Sequence, residues 1–385
     1  MISKNRSNAY QIFLLIFCVI SLTSTTILKA VKAEDYLAVT DLSKHPVYSK
    51  YKFDNTDRVI NIGVQPLYLP TGLITESMKR DHILSENLLT NGLKVRYYPF
   101  LKGSDGNYFL QRGDIDIAVG GDMPAITAAA FADIVIPVMI QYGFTSLVAN
   151  SPFLISELAG RKIGCALGSN AHYALLRALS SAGVSKEDVD IVFMEVSQMP
   201  TMLLERKIDA FYAWEPIPTV SLNDYSDVIS IHKSLSYGFM YFEKTFVEKY
   251  PEAVMQILAA EIRALRWIQN SNQNVFQAAE WAQQATEDLT KIKSPLTTKQ
   301  YVALAKNDII SLTTVPIIPA VLLRKAGQLN NELKFLQTLN IIPASIEWES
   351  IRDCFDDRFV KEVITSPGKY RINEFHYLIE SKKDE

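Results

Sequence analysis

Val59-Ile-Asn-Ile-Gly-Val64, closed by Gln65-Pro66, is a short apolar run ending in a turn, and the rhythm that starts there decides the fold. The run predicts a strand. After it, Leu73, Ile74, Met78, Ile83, Leu84 and Leu88 recur at helical spacing until Asn91-Gly92 breaks the pattern. Residues 94–100 alternate as a strand, 108–111 read as a short helix ending at Gly113, and 115–119 as the next strand. A helix of small residues over 124–132 and an apolar strand over 134–140 follow. Such alternation predicts an α/β architecture with a mainly parallel sheet.

The pattern then restarts, with strands at 162–166, 189–194 and 208–212 and helices at 171–182 and 199–206. A faint internal echo accompanies the restart. Leu110-Gln-Arg-Gly-Asp-Ile-Asp116-Ile-Ala118 resembles Leu204-Glu-Arg-Lys-Ile-Asp209-Ala210, each a helix end entering a buried strand, which fits two lobes on one plan. Beyond Phe242 the chain turns helical. Residues 251–268 carry Val254, Ile257, Leu258, Ile262, Leu265 and Ile268 on one face, with Pro251 suited to a first turn. Further helices are expected at 275–285, 298–310, 319–339 and 351–363, packed around the first lobe. The polar, aromatic-flecked stretch 34–58 reads as an extended arm ahead of the core.

The first 33 residues read as an export signal. Lys4 and Arg6 precede an unbroken apolar run over 12–20, a polar exit follows, and Val31-Lys32-Ala33 suits cleavage after Ala33. The run is shorter than the ~20 residues of a spanning helix. Phe17 is bulky beside Cys18, so lipid attachment is not expected. The 385 residues hold 39 Lys and Arg against 42 Asp and Glu. Four cations and no acid precede Glu34, so the mature chain would carry −7. With basic residues nowhere more than paired, it lacks the footprint of a nucleic-acid binder. Cys165 and Cys354, far apart and without a C-x-x-C, are expected as buried thiols.

Catalytic signatures are missing. The sequence has no G-x-S-x-G, H-E-x-x-H, Walker A or G-x-G-x-x-G pattern. His45, His82, His172, His232 and His376 form no metal-ligand spacing, so neither a metal nor a cofactor is expected. Asp114 and Asp116 share a strand face, but a turn and a strand-end carboxylate explain them without catalysis.

In open α/β sheets ligands gather beyond the carboxyl ends of strands. The loops there hold Gln65 and Tyr68, Gly121 and Asp122, Tyr142, Gly168-Ser169-Asn170, and Trp214-Glu215. They are rich in amides, hydroxyls, glycine and aromatics, and several precede helices whose free N–H groups favour negative charge. His172, on the first turn of its helix, could meet an anion. Each has a plainer reading too: Ser169 or Asn170 as a helix cap, Asp122 as an N-cap before Pro124, Trp214 as core cover. Their joint placement at successive strand ends is what points to a ligand.

At these residues the sequence resembles the substrate-binding proteins of ABC importers for sulfonates, taurine, nitrate and the pyrimidine precursors of thiamine. The likeness rests on Leu110-x-x-Gly113-Asp-Ile-Asp116-Ile-Ala118, on Glu157-Leu158-Ala-Gly160-Arg-Lys162-Ile-Gly164 leading to Gly168-Ser169, and on Ile208-Asp209-Ala210 followed by Trp214-Glu215-Pro216. It spans about 59–268. The resemblance implies a type II periplasmic-binding fold: two α/β lobes joined by crossovers near 141–148 and 236–241, with a ligand cleft between them and extra C-terminal helices. Lobe 1 would take 59–143 and 240–385, and lobe 2 144–239. Lys207 stands where that family often has glycine, and the arm and the tail beyond about residue 310 are longer than the family pattern.

By this resemblance the cleft residues would include Gln65, Tyr68, Gly121, Asp122, Gly168, Ser169, Asn170, Trp214 and Glu215, in a non-catalytic, monomeric, periplasmic protein that serves an ABC permease. Two ligand chemistries stay open. Backbone donors suit a sulfonate-like or nitrate anion, whereas Asp122, Glu215 and the rings of Tyr68, Tyr142 and Trp214 suit an aminopyrimidine-like compound. A pyrimidine-precursor-synthesising enzyme of the same fold and a membrane-tethered sensor are the rival readings. Intact mass of the exported chain is expected to show loss of residues 1–33; retention of that segment would favour the tethered sensor.

Overall fold

The computed structural model describes residues 41–308 and 316–378. The expected signal peptide and the first residues of the arm lie outside them. Among the described residues eight strands form one mixed sheet: β1 (Val59–Val64), β2 (Lys94–Pro99), β3 (Ile117–Gly121), β4 (Ile134–Ala149), β5 (Lys162–Cys165), β6 (Asp190–Phe193), β7 (Ala210–Trp214) and β8 (Ile229–Glu243), in the order β2-β1-β3-β8-β4-β7-β5-β6. β1 pairs in parallel with β2 and β3, and β5 with β6 and β7. Between these two parallel groups run β4 and β8, antiparallel to each other over most of their length. β3 joins β8 at its C-terminal half, and β7 joins β4 at its C-terminal half. The expected crossovers at 141–148 and 236–241 are therefore parts of two strands much longer than the apolar run at 134–140 predicted. This is the type II periplasmic-binding architecture.

The internal echo has a structural basis. Asp116 precedes β3, accepts a hydrogen bond from Asn61 N–H through Oδ2 (2.7 Å), and donates its own N–H to Asn61 O (2.9 Å). Asp209 precedes β7 and does the same to Lys162, at 2.9 and 2.8 Å. Each carboxylate staples a neighbouring parallel strand, a role that employs Asp116 fully.

Helices cover the sheet. The expected helix over 73–88 is two, α1 (Thr71–Met78) and α2 (His82–Thr90), because Asp81 caps the second by accepting from Ile83 and Leu84 N–H. The short helix at 108–111 begins earlier, as α3 (Gly103–Gln111), and the next is α4 (Asp122–Phe131). In the second group stand α5 (Asn170–Ser181), α6 (Met199–Leu204) and α7 (Ile217–Asp224). The helical tail supplies α8 (Lys244–Lys249), α9 (Pro251–Asn270), α10 (Asn272–Thr290) and α11 (Thr298–Asp308). The helix expected over 319–339 is only α12 (Gln328–Thr338). Ahead of it the chain folds back so tightly that a Cβ on Gly327 would meet the carbonyl oxygens of Leu322, Arg324 and Val321 at 2.5–2.8 Å. The stretch 351–363 divides into α13 (Trp348–Arg352) and α14 (Arg358–Thr365).

The described part of the arm, 41–58, is not an extended tether. Its aromatics are core residues: Tyr48 is buried, donates to Asp105 Oδ2 (2.5 Å) and accepts from Leu101 N–H (2.9 Å). With Tyr51 and Phe53 it packs on Tyr98, Phe100 and Phe109. Each such ring removes a large apolar area from water, which outweighs the entropy of an open arm. Cys165 is buried and Cys354 half-buried.

α9 was expected to bury one face and instead buries nearly all of itself, packed against α1, α2, α10 and α14. Ala259, Ala260 and Ala264 permit that close approach, and the polar residues between them go inside too. Arg263 donates there from Nε to Asp81 Oδ2 (2.7 Å) and from Nη1 to Tyr370 O (2.8 Å), while its Nη2 has no hydrogen-bond partner. Glu261 is fully buried with neither carboxylate oxygen hydrogen-bonded, and burial pushes its carboxyl well above the ordinary 4.5. The fold thus favours the neutral acid. That contribution is full below about pH 4.5 and is lost as pH rises toward the folded value. Glu261→Gln is expected to remove this loss: its unfolding free energy relative to the parent should climb between pH 5 and 8 by at most ~1.4 kcal/mol per unit. Urea melts across that range measure it, and a pH-independent difference would contradict it.

Candidate functional site

Strand ends from both halves of the sheet meet beside the middle of β8. Tyr68, four residues past β1, is buried with its hydroxyl 3.0 Å from Ser236 Oγ on β8. Asn170 opens α5 in the other half and donates to the same Ser236 Oγ at 2.6 Å. Gly121 and Asp122 lead from β3 into α4. Asp122 was read as an N-cap, but Gly121 holds that position and Asp122 is the first helical residue. Its fully buried carboxylate accepts from Met123 N–H (2.9 Å) and Tyr237 N–H (3.3 Å) and is hydrogen-bonded by Asn170. Asp122, Asn170, Ser236 and Tyr68 thus form one polar chain linking the two halves.

The N-terminus of α5 is largely self-satisfied. Ser169 is its N-cap, accepting from His172 N–H (3.2 Å) and donating to Ala166 O (2.7 Å). Gly168 N–H donates to His172 Nδ1 at 3.3 Å, so that nitrogen is an acceptor. Burial, with a smaller push from the charge of Lys186, brings the His172 pKa down to about 4. His172 is therefore a neutral, buried ring, rather than a cation waiting for an anion.

The remaining expected residues serve elsewhere. With its amide oriented to satisfy both neighbours, Gln65 donates to Val119 O (3.3 Å) and accepts from Gly103 N–H, bracing two strand ends. Tyr142 was placed in a loop but lies inside β4, half-buried, its ring edge-on to Tyr237 at 5.3 Å. Trp214 ends β7 opposite Thr145 and packs on the apolar cluster of Leu147, Leu175 and Tyr212. Glu215 accepts from Thr219 N–H (3.2 Å) at the start of α7, and burial raises its carboxyl.

Sequence reasoning missed Ser236 and everything the tail contributes. α12 packs along α4 and reaches α5. Phe335 sets its ring edge-on to His172 at 5.1 Å and beside Tyr173 at 5.3 Å. Glu332, one turn earlier, is fully buried: Gln328 Nε2 donates to Oε1 at 2.8 Å, and Oε2 has no hydrogen-bond partner. Burial first, and then the charge of Asp122, push the Glu332 carboxyl well up; burial raises Asp122 too. Just beyond α12, Ile341 lies against Gly168.

This assembly offers buried hydroxyl, amide and carboxyl groups between aromatic walls. Ser236 Oγ is hydrogen-bonded to Tyr68 and Asn170. Among the described residues no group of three or more His, Cys, Asp and Glu side chains could hold a metal ion. A groove of about 470 Å³ is lined by Val47 and Tyr51 of the arm, by Pro66 just past β1 and Pro99 at the end of β2, and by Trp281 of α10 and Lys291 beyond it.

Residues 147–283 match the NMT1-like family. Over 175 residues, 44% of this chain, the sequence is 27% identical to a protein of Escherichia coli (strain K12) named for binding aliphatic sulfonates. That alignment spans about half (53%) of the relative's length. Among solved structures, the periplasmic aliphatic sulphonate binding protein of Escherichia coli superposes with TM-score 0.61 and 20% identity, covering 80% of this chain and 100% of that one. The periplasmic nitrate-binding protein of Synechocystis gives 0.59 and 13%, covering 80% and 88%. These structures share the fold, and the sequence match relates the chain to the same group of binding proteins.

Gly168 tests the contact between tail and cleft. Its φ of +69° is one that L side chains rarely adopt, and an added Cβ would come within 2.6 Å of Ile341 Cδ1. Gly168→Ala is expected to destabilise the protein by ~1–2 kcal/mol from backbone strain. It should also speed protease cleavage after α12, read by limited proteolysis. Unchanged cleavage would separate the tail from the site.

Proposed function

We propose that this chain is an exported solute-binding protein of an ABC import system, which captures a small organic molecule between its two lobes and hands it to a membrane permease. The observation that carries this reading is the meeting of both halves at Ser236, where Tyr68 arrives from one side and Asn170 from the other. Two long strands that belong to both halves are a hinge in the making, and hinge closure around a ligand is how two-lobed binding proteins work. We place lobe 1 at 59–143 with 240–385 and lobe 2 at 144–239. The leader at 1–33 and the periplasmic relatives support a periplasmic location after cleavage at Ala33. The protein works as a monomer, uses no cofactor and performs no chemistry on its solute.

Tyr68, Gly121, Asp122, Asn170 and Ser236 form the centre of the site in this reading. Gly168, Ser169 and His172 shape the wall at the start of α5, Gln65 braces the floor, and Tyr142, Trp214 and Glu215 form the rim. The relatives named for aliphatic sulfonates and nitrate make those anions the first solutes to try, beside taurine and aminopyrimidines.

Thermal unfolding of the chain from Glu34 onward against that panel tests the reading. A solute that binds only the folded state, at about 100 times its Kd, adds roughly 2.7 kcal/mol of stability. One class is expected to raise Tm, with the rise abolished in Trp214→Ala. A panel without effect, and a chain that carries no small molecule when isolated from the exporting cell, would overturn the binding role.

A further inference from the structure

We infer that the solute presents a protonated nitrogen, an ammonium or amidinium-type group, to a pair of buried carboxyls formed by Asp122 of α4 and Glu332 of α12. This rests on the solute-binding reading above and narrows it.

The first ground is placement. Asp122 and Glu332 are both fully buried on two helices packed side by side, and each lies within electrostatic reach of the other. Both also act on Tyr173 of α5 and Tyr237 of β8, which brackets them between the two halves of the fold. Glu332 Oε2 is a fully enclosed oxygen with no hydrogen-bond partner. A buried carboxylate oxygen left unsatisfied is costly, and such groups call for an explanation.

The second ground is what surrounds the pair. The groups acting on Asp122 are backbone N–H donors and the Asn170 amide, with no cation among them. Glu332 has Gln328 as its donor, and the cation that reaches it is Arg177, an exposed residue of α5 lying over the Tyr173 ring. Opposite, His172 is neutral, and the N–H groups of Gly168 and His172 are spent on the chain's own side chains. An anion brought here would face two carboxyls and few free donors. A nitrogen cation would satisfy Oε2, compensate both acids, and stack on the rings of Tyr68, Tyr237 and Phe335.

The third ground is the origin of Glu332. It stands outside the 147–283 stretch that matches the NMT1-like family, in the tail that exceeds the family pattern. The tail thus supplies half of the acid pair.

Burial holds both carboxyls above their usual range, and a bound cation favours their ionised forms. Binding should therefore strengthen as pH rises from 6 to 8. It should also release protons, seen as a dependence of the calorimetric heat on the buffer's ionisation enthalpy.

The test uses the mature chain with four probes: n-butylamine, benzamidine, n-butanesulfonate and nitrate. The two nitrogen cations distinguish an aliphatic ammonium from a planar amidinium. At least one is expected to bind, more tightly at pH 8 than at pH 6, and to lose tenfold or more in affinity in both Asp122→Asn and Glu332→Gln. These substitutions are nearly isosteric with the acids, so both variants are expected to fold, and circular dichroism melts verify it. Mass spectrometry of whatever small molecule leaves the protein on denaturation gives an independent readout, and a nitrogen base is expected. Binding of butanesulfonate or nitrate in place of the cations, or a released anion, overturns the inference and leaves the binding role standing. No binding of any probe, with nothing released, overturns both.

Discussion

The ladder between β4 and β8 runs from Ile134 opposite Glu243 to Ala149 opposite Ile229, and every other strand takes its place from it. Three parallel strands hang on the β8 side through β3, and three on the β4 side through β7. Because the two long strands belong to both groups, the halves cannot be separated without breaking that ladder, yet they can bend about it. The register shifts near Val135, Met139 and Leu147 mark where the pairing is irregular. Irregular pairing is where a long strand can change direction while keeping its backbone partners. The polar site sits beside the middle of this ladder, so its geometry follows any flexing there.

Polar burial serves two separate ends in this molecule. Asp116, Asp209 and Asp81 are closed into the architecture: each carboxylate accepts from backbone N–H groups, and Asp81 also pairs with Arg263. Their cost of desolvation is met locally. Glu332 differs, because Gln328 reaches only its Oε1 and Oε2 is left without a partner. Glu261 goes further, with neither carboxylate oxygen hydrogen-bonded, and lies within the helical layer around α9.

Periodicity revealed the alternating strands and helices, and turn chemistry located the strand ends, so the architecture was legible from residues 59–268. Tyr68, Asp122 and Asn170 are singled out in the sequence because ligands gather where parallel strands end, and the structure brings the three together. Ser236 is not, since it sits mid-strand where a serine carries no local signal. Glu332 adjoins Leu333 on a helix whose Leu329, Leu333 and Leu336 define the apolar face, and a glutamate at such an edge reads as solvated. Only the packing of α12 between α4 and α5 puts it inside. The arm was misread for a related reason. Its tyrosines and phenylalanine lack a period, and their burial depends on Phe100 and Phe109, roughly fifty residues away in the chain.

The contact of Phe335 with His172 and Tyr173, and of Ile341 with Gly168, gives the joint a third fastening besides β4 and β8. Two strands side by side leave a hinge soft to both bending and twisting. A strap fixed to the first half and resting on the second stiffens the twist most, because it lies off the hinge axis. The halves are thereby confined nearer to a single arc of motion, like a door on a pin rather than a flap on cloth. Any bending of one half against the other is thereby guided along a repeatable path, and the face presented outward at its end is correspondingly well defined.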